Sequence, residues 1–183
     1  ATPADVFISV DAGNLVKAAD QGLFQPIDDP VLVAAVPPAL RDPDNLWFGL
    51  SVRARSIAYN PDEVDPSELS TYADLADPRW KGRLCLRNSG NVYTQSLVAA
   101  LIADEGRDEA LRIVEGWVDN AEILDSDVMI LDAVAAGQCD VAITNHYYLA
   151  RKYAENPDFG VAMVWADQEA TGVHVNVSGA GVT

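Results

Sequence analysis

The sequence is short of the side chains from which most metal centres and catalytic sets are built. It has two histidines, His146 and His174, and two cysteines, Cys85 and Cys139, in 183 residues. That is too few for a disulfide scaffold, and the spacing fits neither a zinc knuckle nor a copper site. No Ser/His/Asp or Cys/His set occurs at a spacing that supports nucleophilic catalysis, so the chain is read as a non-enzyme. The GAG near the C-terminus lacks the pattern of a phosphate-binding loop. Basic side chains are scarce: 12 Lys and Arg stand against 28 Asp and Glu, a formal net charge of -16. That field opposes nucleic acid and anionic membranes, and is compatible with a cationic ligand or simply with solubility. Apolar runs such as 96–103 fall short of the ~20 residues that span a bilayer, so no direct membrane insertion is expected. No basic start, apolar stretch and small-residue cleavage site is present, and any export signal is expected to lie outside this sequence. Internal repeats and low-complexity stretches are also missing.

What is present suffices for a core, since 49% of the residues are apolar. The run 4–10 (ADVFISV) reads as a buried strand, 11–13 as a turn and 15–21 as a short helix ending near Gly22. Proline and aspartate make 26–43 an irregular connection, with a helical turn at 31–35. Residues 47–59 read as two short strands or one long bent one, with Arg53 and Arg55 on one face because strand side chains alternate. A strand follows at 83–87, then a helix capped by Asn91, a helix over 108–119 with Leu111, Val114 and Val118 on its buried face, and a helix after Asp127 that stops at Gly137. Asp127 either faces the site or caps that helix, and the cap is the favoured reading. Strands at 140–144, 160–165 and 173–177, with a helix through Ala154, complete the pattern. Alternating strands and helices predict an α/β architecture on a mostly parallel sheet flanked by helices.

In such sheets ligands bind beyond the carboxyl ends of strands, where loops enter helices. Two segments qualify, RNSGNVY after Cys85 and TNHYY after Cys139. Tyr93 follows Cys85 by the same eight residues that separate Tyr147 from Cys139. If the two strands are neighbours, ~4.8 Å apart, the tyrosines converge and the cysteines come within bridging range. A Cys85–Cys139 disulfide is therefore predicted, which would indicate an oxidising compartment; two buried thiols are the alternative. Tyr93, Tyr147 and Tyr148 at one mouth offer hard oxygen donors whose protons, with an ordinary pKa of ~10, leave only to a strong Lewis acid. Ferric iron fits that set best; aromatic packing with surface hydroxyls is the structural alternative. Ser89, Gly90 and Asn91 form a turn at a helix N-terminus, where backbone N–H groups favour an anion. Arg53 and Arg55 are placed either to hold such an anion or to form ordinary ion pairs. His146 is read as pointing away and His174 as structural.

The blocks PADVF, GLF-P, WFGLSVRAR, STYADLADPRWKGRLCLR, YTQSLVA, AAGQCDVAITNHYY and VNVSGAGV together resemble the ferric-iron substrate-binding proteins of bacterial ABC importers, over nearly the whole chain. The resemblance implies a class II periplasmic-binding fold with two lobes closing on the ligand. In its tyrosine-rich branch the iron ligands of one lobe match Tyr93, Tyr147 and Tyr148. The anion-contacting arginine matches Arg53, and the anion-binding turn matches Ser89, Gly90 and Asn91, with Asn145 nearby. A carbonate or another synergistic anion, an ABC transporter permease as partner, and a periplasmic or extracytoplasmic location are implied in the same way. Two departures stand out. The family's leading strand and helix, with its His or Tyr ligand, is missing, and Ser9 and Val10 stand where some members carry a glutamate ligand. The chain is thus expected to be a fragment, with 1–50 part of a first lobe, 51–175 the second lobe with the tyrosines, and 176–183 a return crossing. The expected function is Fe(III) binding for uptake; the alternative is an oxyanion or small organic anion at the Ser89 turn and Arg53.

Overall fold

The computed structural model describes residues 4–183, so Pro3 of the PADVF block lies outside the described residues. The chain divides into two compact units, one of residues 1–53 and 175–183, the other of residues 54–174.

In the first unit, β1 (Val6–Ser9) pairs antiparallel with β7 (His174–Val182), which lies next to β2 (Phe48–Tyr59). Residues 47–59 thus yield one long strand, and the chain passes between units within β2 and again at the start of β7. Helix α1 (Ala12–Asp20) is capped by Asp11, whose side chain accepts the Gly13 N–H, and α2 (Pro30–Ala35) by Asp29. Leu15, Ala18, Phe24, Trp47 and Val177 form the core. The GAG glycines serve this packing. A Cβ on Gly179 would stand 2.6 Å from the Phe48 carbonyl oxygen, and one on Gly181 2.7 Å from that of Leu46.

In the second unit the strand order is β2-β5-β3-β4, with β6 (Ala162–Val164) also on β2. Strand β3 (Leu84–Arg87) pairs in parallel with both β4 (Ala121–Leu124) and β5 (Val141–Asn145), while β2 runs antiparallel to β5 and β6. The α/β layering is as expected, and parallel pairing is confined to β5-β3-β4, where helices supply the crossovers. Strand alternation builds a core on each face. Ile57, Leu84, Leu86, Val141 and Ile143 face one way, against α3 (Val92–Glu105), α4 (Arg107–Asn120), Trp80 and Trp117. Ala58, Cys85 and Ala142 face the other, against α5 (Asp127–Ala135) and α6 (His146–Glu155). Ile130, Leu131 and Val134 of α5 are fully buried, each worth about 1.5–3 kcal/mol of transfer free energy.

Four expectations need correction. The run 4–10, expected as a buried strand, yields β1 with Val6, Phe7 and Ile8 52%, 37% and 68% exposed. The buried face of α4 carries Ala110, Ile113 and Trp117, whereas Leu111 and Val118 are 53% and 59% exposed. The two stripes are one residue apart, and the tryptophan decides between them because its Nε1 donates to the Tyr72 carbonyl and its ring packs in the core. Strand β4 was not foreseen; four residues between two helices give too little alternation to register. The cap of α5 is Ser126, whose side chain accepts the Met129 N–H, and Asp127 has a different task. Among the described residues no helix is long and apolar enough to cross a membrane.

Candidate metal centre

Two parallel strand ends deliver the three tyrosines. Strand β3 ends at Arg87, the turn 88–91 follows, and Tyr93 stands in the first turn of α3. The turn is held from both sides: the Asn88 N–H donates to the Leu124 carbonyl at 3.2 Å, and Gln95 Nε2 to the Ser89 carbonyl at 3.0 Å. The Asn91 side chain caps the helix by accepting the Tyr93 N–H at 2.9 Å, so that donor is already engaged. Strand β5 has no such turn. Its last residue, Asn145, directly precedes α6, which puts Tyr147 and Tyr148 in the opening turn of that helix. The matching eight-residue spacings therefore have a different origin from a shared register. Cys85 pairs with Ala142, three residues beyond Cys139, and the longer turn after β3 makes up the difference.

The tyrosines are neighbours: Tyr148, Tyr93 and the Asn145 side chain all act on the Tyr147 hydroxyl. The rings of Tyr147 and Tyr148 have centroids 4.3 Å apart with planes tilted by 37°, and all three tyrosines are half-buried. Burial is the largest cause pushing the Tyr147 phenol above its ordinary pKa, followed by the bonds to Tyr148 and Tyr93, while Asn145 pulls it down. Tyr147 accordingly stays a neutral phenol until a cation of high charge displaces its proton.

Behind the tyrosines lies a buried ion cluster. The Asp127 carboxylate, 0% exposed, accepts from Arg55 Nη1 at 3.0 Å and from Arg87 Nη1 at 3.2 Å. Arg55 also donates to the Ile143 carbonyl at 3.1 Å and approaches Asn145 Oδ1 at 3.5 Å. The guanidinium carbon of Arg87 stands 5.5 Å from the centre of the Tyr93 ring. The signal was legible in principle, because arginines on two strands this apolar require a buried carboxylate.

Arg53 belongs to the first unit, where its Nη1 donates to Ser178 Oγ at 3.3 Å and its Nη2 lies 4.0 Å from Asp11. His146 Nδ1 accepts the Ala54 N–H at 3.1 Å, and its ring stands edge-on to Tyr147 with centroids 6.0 Å apart. His174 Nε2 lies 3.3 Å from Ser96 Oγ. Cys85 and Cys139 are bonded through sulfur, with Cα atoms 5.8 Å apart, joining β3 to the turn before β5.

Beyond the geometry, the model of the bacterial extracellular solute-binding protein family matches residues 1–177. The chain belongs to that family. The chain is 43% identical to "Iron uptake protein A1" of Synechocystis, over 99% of its own length and 52% of the relative's. It is 31% identical to the "Fe(3+)-binding periplasmic protein" of Serratia marcescens, over 100% of its length and 54% of the relative's. Among solved structures it superposes with a TM-score of 0.91 on a Trichodesmium protein in complex with iron and citrate, at 45% identity, covering 99% of this chain and 60% of that one. The ferric binding protein of Campylobacter jejuni gives a TM-score of 0.92 at 34% identity, covering 100% and 60%. The chain spans 52% and 54% of the length of these curated relatives.

Proposed function

We propose that this solute-binding protein takes up Fe(III) as cargo through the phenolates of Tyr93, Tyr147 and Tyr148, for delivery to an ABC importer outside the cytoplasmic membrane. The observation that carries the reading is that Tyr93 and Tyr148, from two neighbouring helix starts, both act on the Tyr147 hydroxyl. Two helix starts present three phenol oxygens, hard donors suited to a hard trivalent ion. Relatives named for iron uptake and ferric binding, from Synechocystis to Serratia, support the same cargo.

The three phenolates come from one unit and leave positions around a six-coordinate ion. A carbonate, a citrate or another chelating anion, or further protein ligands, would fill them. Ser89, Gly90, Asn91 and Asn145 border the tyrosines in sequence, whereas Arg53 belongs to the first unit. The anion is proposed as a companion of the iron, a reading favoured by the Trichodesmium complex, which holds iron together with citrate.

Visible spectroscopy tests the proposal. Adding Fe(III) to the purified protein should produce a phenolate-to-iron charge-transfer band, and Tyr147→Phe should remove most of it. Calorimetry with phosphate, sulfate or citrate in the absence of iron addresses the anion-only alternative. Heat from the anion alone, with no coloured iron complex, would replace iron by an oxyanion as the ligand.

A further inference from the structure

We infer that Asp127 is a positioning residue for the tyrosine centre, setting the distance between Tyr93 and the Tyr147/Tyr148 pair through Arg87 and Arg55. The inference rests on the iron-binding reading above and adds to it a role for a residue that touches no ligand.

The tyrosines stand on two separate helix starts, and backbone pairing alone does not fix their spacing. Strand β3 reaches Tyr93 through a four-residue turn, whereas β5 reaches Tyr147 with none. Asp127 closes the gap with one carboxylate. Its Oδ2 receives Arg87, the last residue of β3, whose guanidinium lies over the Tyr93 ring. Its Oδ1 receives Arg55, whose Nη1 approaches Asn145 and whose Nη2 donates to Ile143 of β5. Asn145 is the last residue of β5 and stands two positions before Tyr147, at the opening of α6. Each ligand-bearing segment is therefore tied to the same two oxygens.

The cluster is placed to hold geometry rigidly. Asp127 is 0% and Arg55 3% exposed, so the carboxylate has no water to exchange for its guanidinium partners, and charge-assisted bonds in such surroundings are short and directional. Its position at the start of α5, with Ile130, Leu131 and Val134 buried behind it, anchors the carboxylate to the core. Groups that orient metal ligands without touching the metal commonly change affinity by about 10–100-fold when removed.

The test compares Fe(III) binding by the unaltered chain with Asp127→Asn and Arg87→Lys, recording affinity, the charge-transfer maximum and the thermal midpoint. Asp127→Asn keeps the shape and loses the charge. Arg87→Lys keeps the charge and the fold while losing the planar group over Tyr93, so it reports even if Asp127→Asn fails to fold. The expected result is a ~10–100-fold loss of affinity with a displaced band maximum in each folded variant. A folded variant that keeps both the affinity and the band of the unaltered chain, or only unfolds at lower temperature, overturns the positioning role and leaves the iron reading intact. Absence of a band in the unaltered chain overturns both.

Discussion

Tyr147 and Tyr148 stack on each other at 4.3 Å although they are consecutive residues of a helix. Neighbours on a helix normally diverge by about 100° and do not face one another. Their association at the opening of α6 keeps the two rings side by side. Tyr147→Phe is expected to weaken Fe(III) binding by more than ~100-fold, beyond the range for residues that only orient ligands. Titration against a competing chelator measures this. The Tyr147 proton is held more tightly than an ordinary phenol's, so binding releases protons and affinity should fall as pH is lowered. An affinity independent of pH between 6 and 8 would contradict phenolate ligation.

The Cys85–Cys139 bond closes a loop over a sequence separation of 54. The loop-entropy relation puts its contribution near 4 kcal/mol. Replacing both cysteines by serine should lower the free energy of unfolding in urea by about that amount, with the same secondary structure by circular dichroism. Because the bond ties the start of β5 to β3, the loss should appear in the second unit.

Asp167 has a pKa raised to about 6, first by burial and then by the nearby carboxylates Glu105, Asp74 and Asp104, against a hydrogen bond at the Tyr72 backbone that lowers it. The folded protein thus holds this proton more tightly than the unfolded chain, whose aspartate titrates at 3.8. Stability from this group is greatest below 3.8 and declines as pH rises to about 6. Asp167→Asn removes the charge, tolerates the positive φ of 56° at this position, and should raise the thermal midpoint at pH 7 while flattening its change between pH 4 and 6.

Helix α4 offers a contrast between adjacent apolar stripes. Ile113, 2% exposed, should cost about 2–5 kcal/mol when cut to alanine. Leu111, 53% exposed, should cost less than about 0.5 kcal/mol. Chemical denaturation of the two variants decides which stripe is the core. Gly116→Ala should also destabilise, because a Cβ there would meet the Ala76 Cβ at 2.6 Å.

Most of the architecture was legible from local rules. The N-cap at Asn91, the stop at Gly137 and the alternation along 84–87 and 141–145 each follow from one residue type in one place. The two tyrosine segments were legible because both sit where a strand gives way to a helix. The α4 face was misjudged because two stripes satisfy the same periodicity, and only tertiary packing of Trp117 separates them. Asp127 was misjudged because capping is a local property, whereas its partners, Arg55 and Arg87, lie 72 and 40 positions away in sequence.

The direct passage from β5 into α6 leaves no slack. A single residue inserted at Asn145 would rotate Tyr147 and Tyr148 by about 100° around the helix axis and carry both oxygens away from Tyr93. Tyr93 is reached instead through the turn 88–91, which hydrogen bonds with Leu124 and Gln95 hold in place. The length of the β5–α6 junction is therefore the strict local constraint on where the tyrosine pair stands.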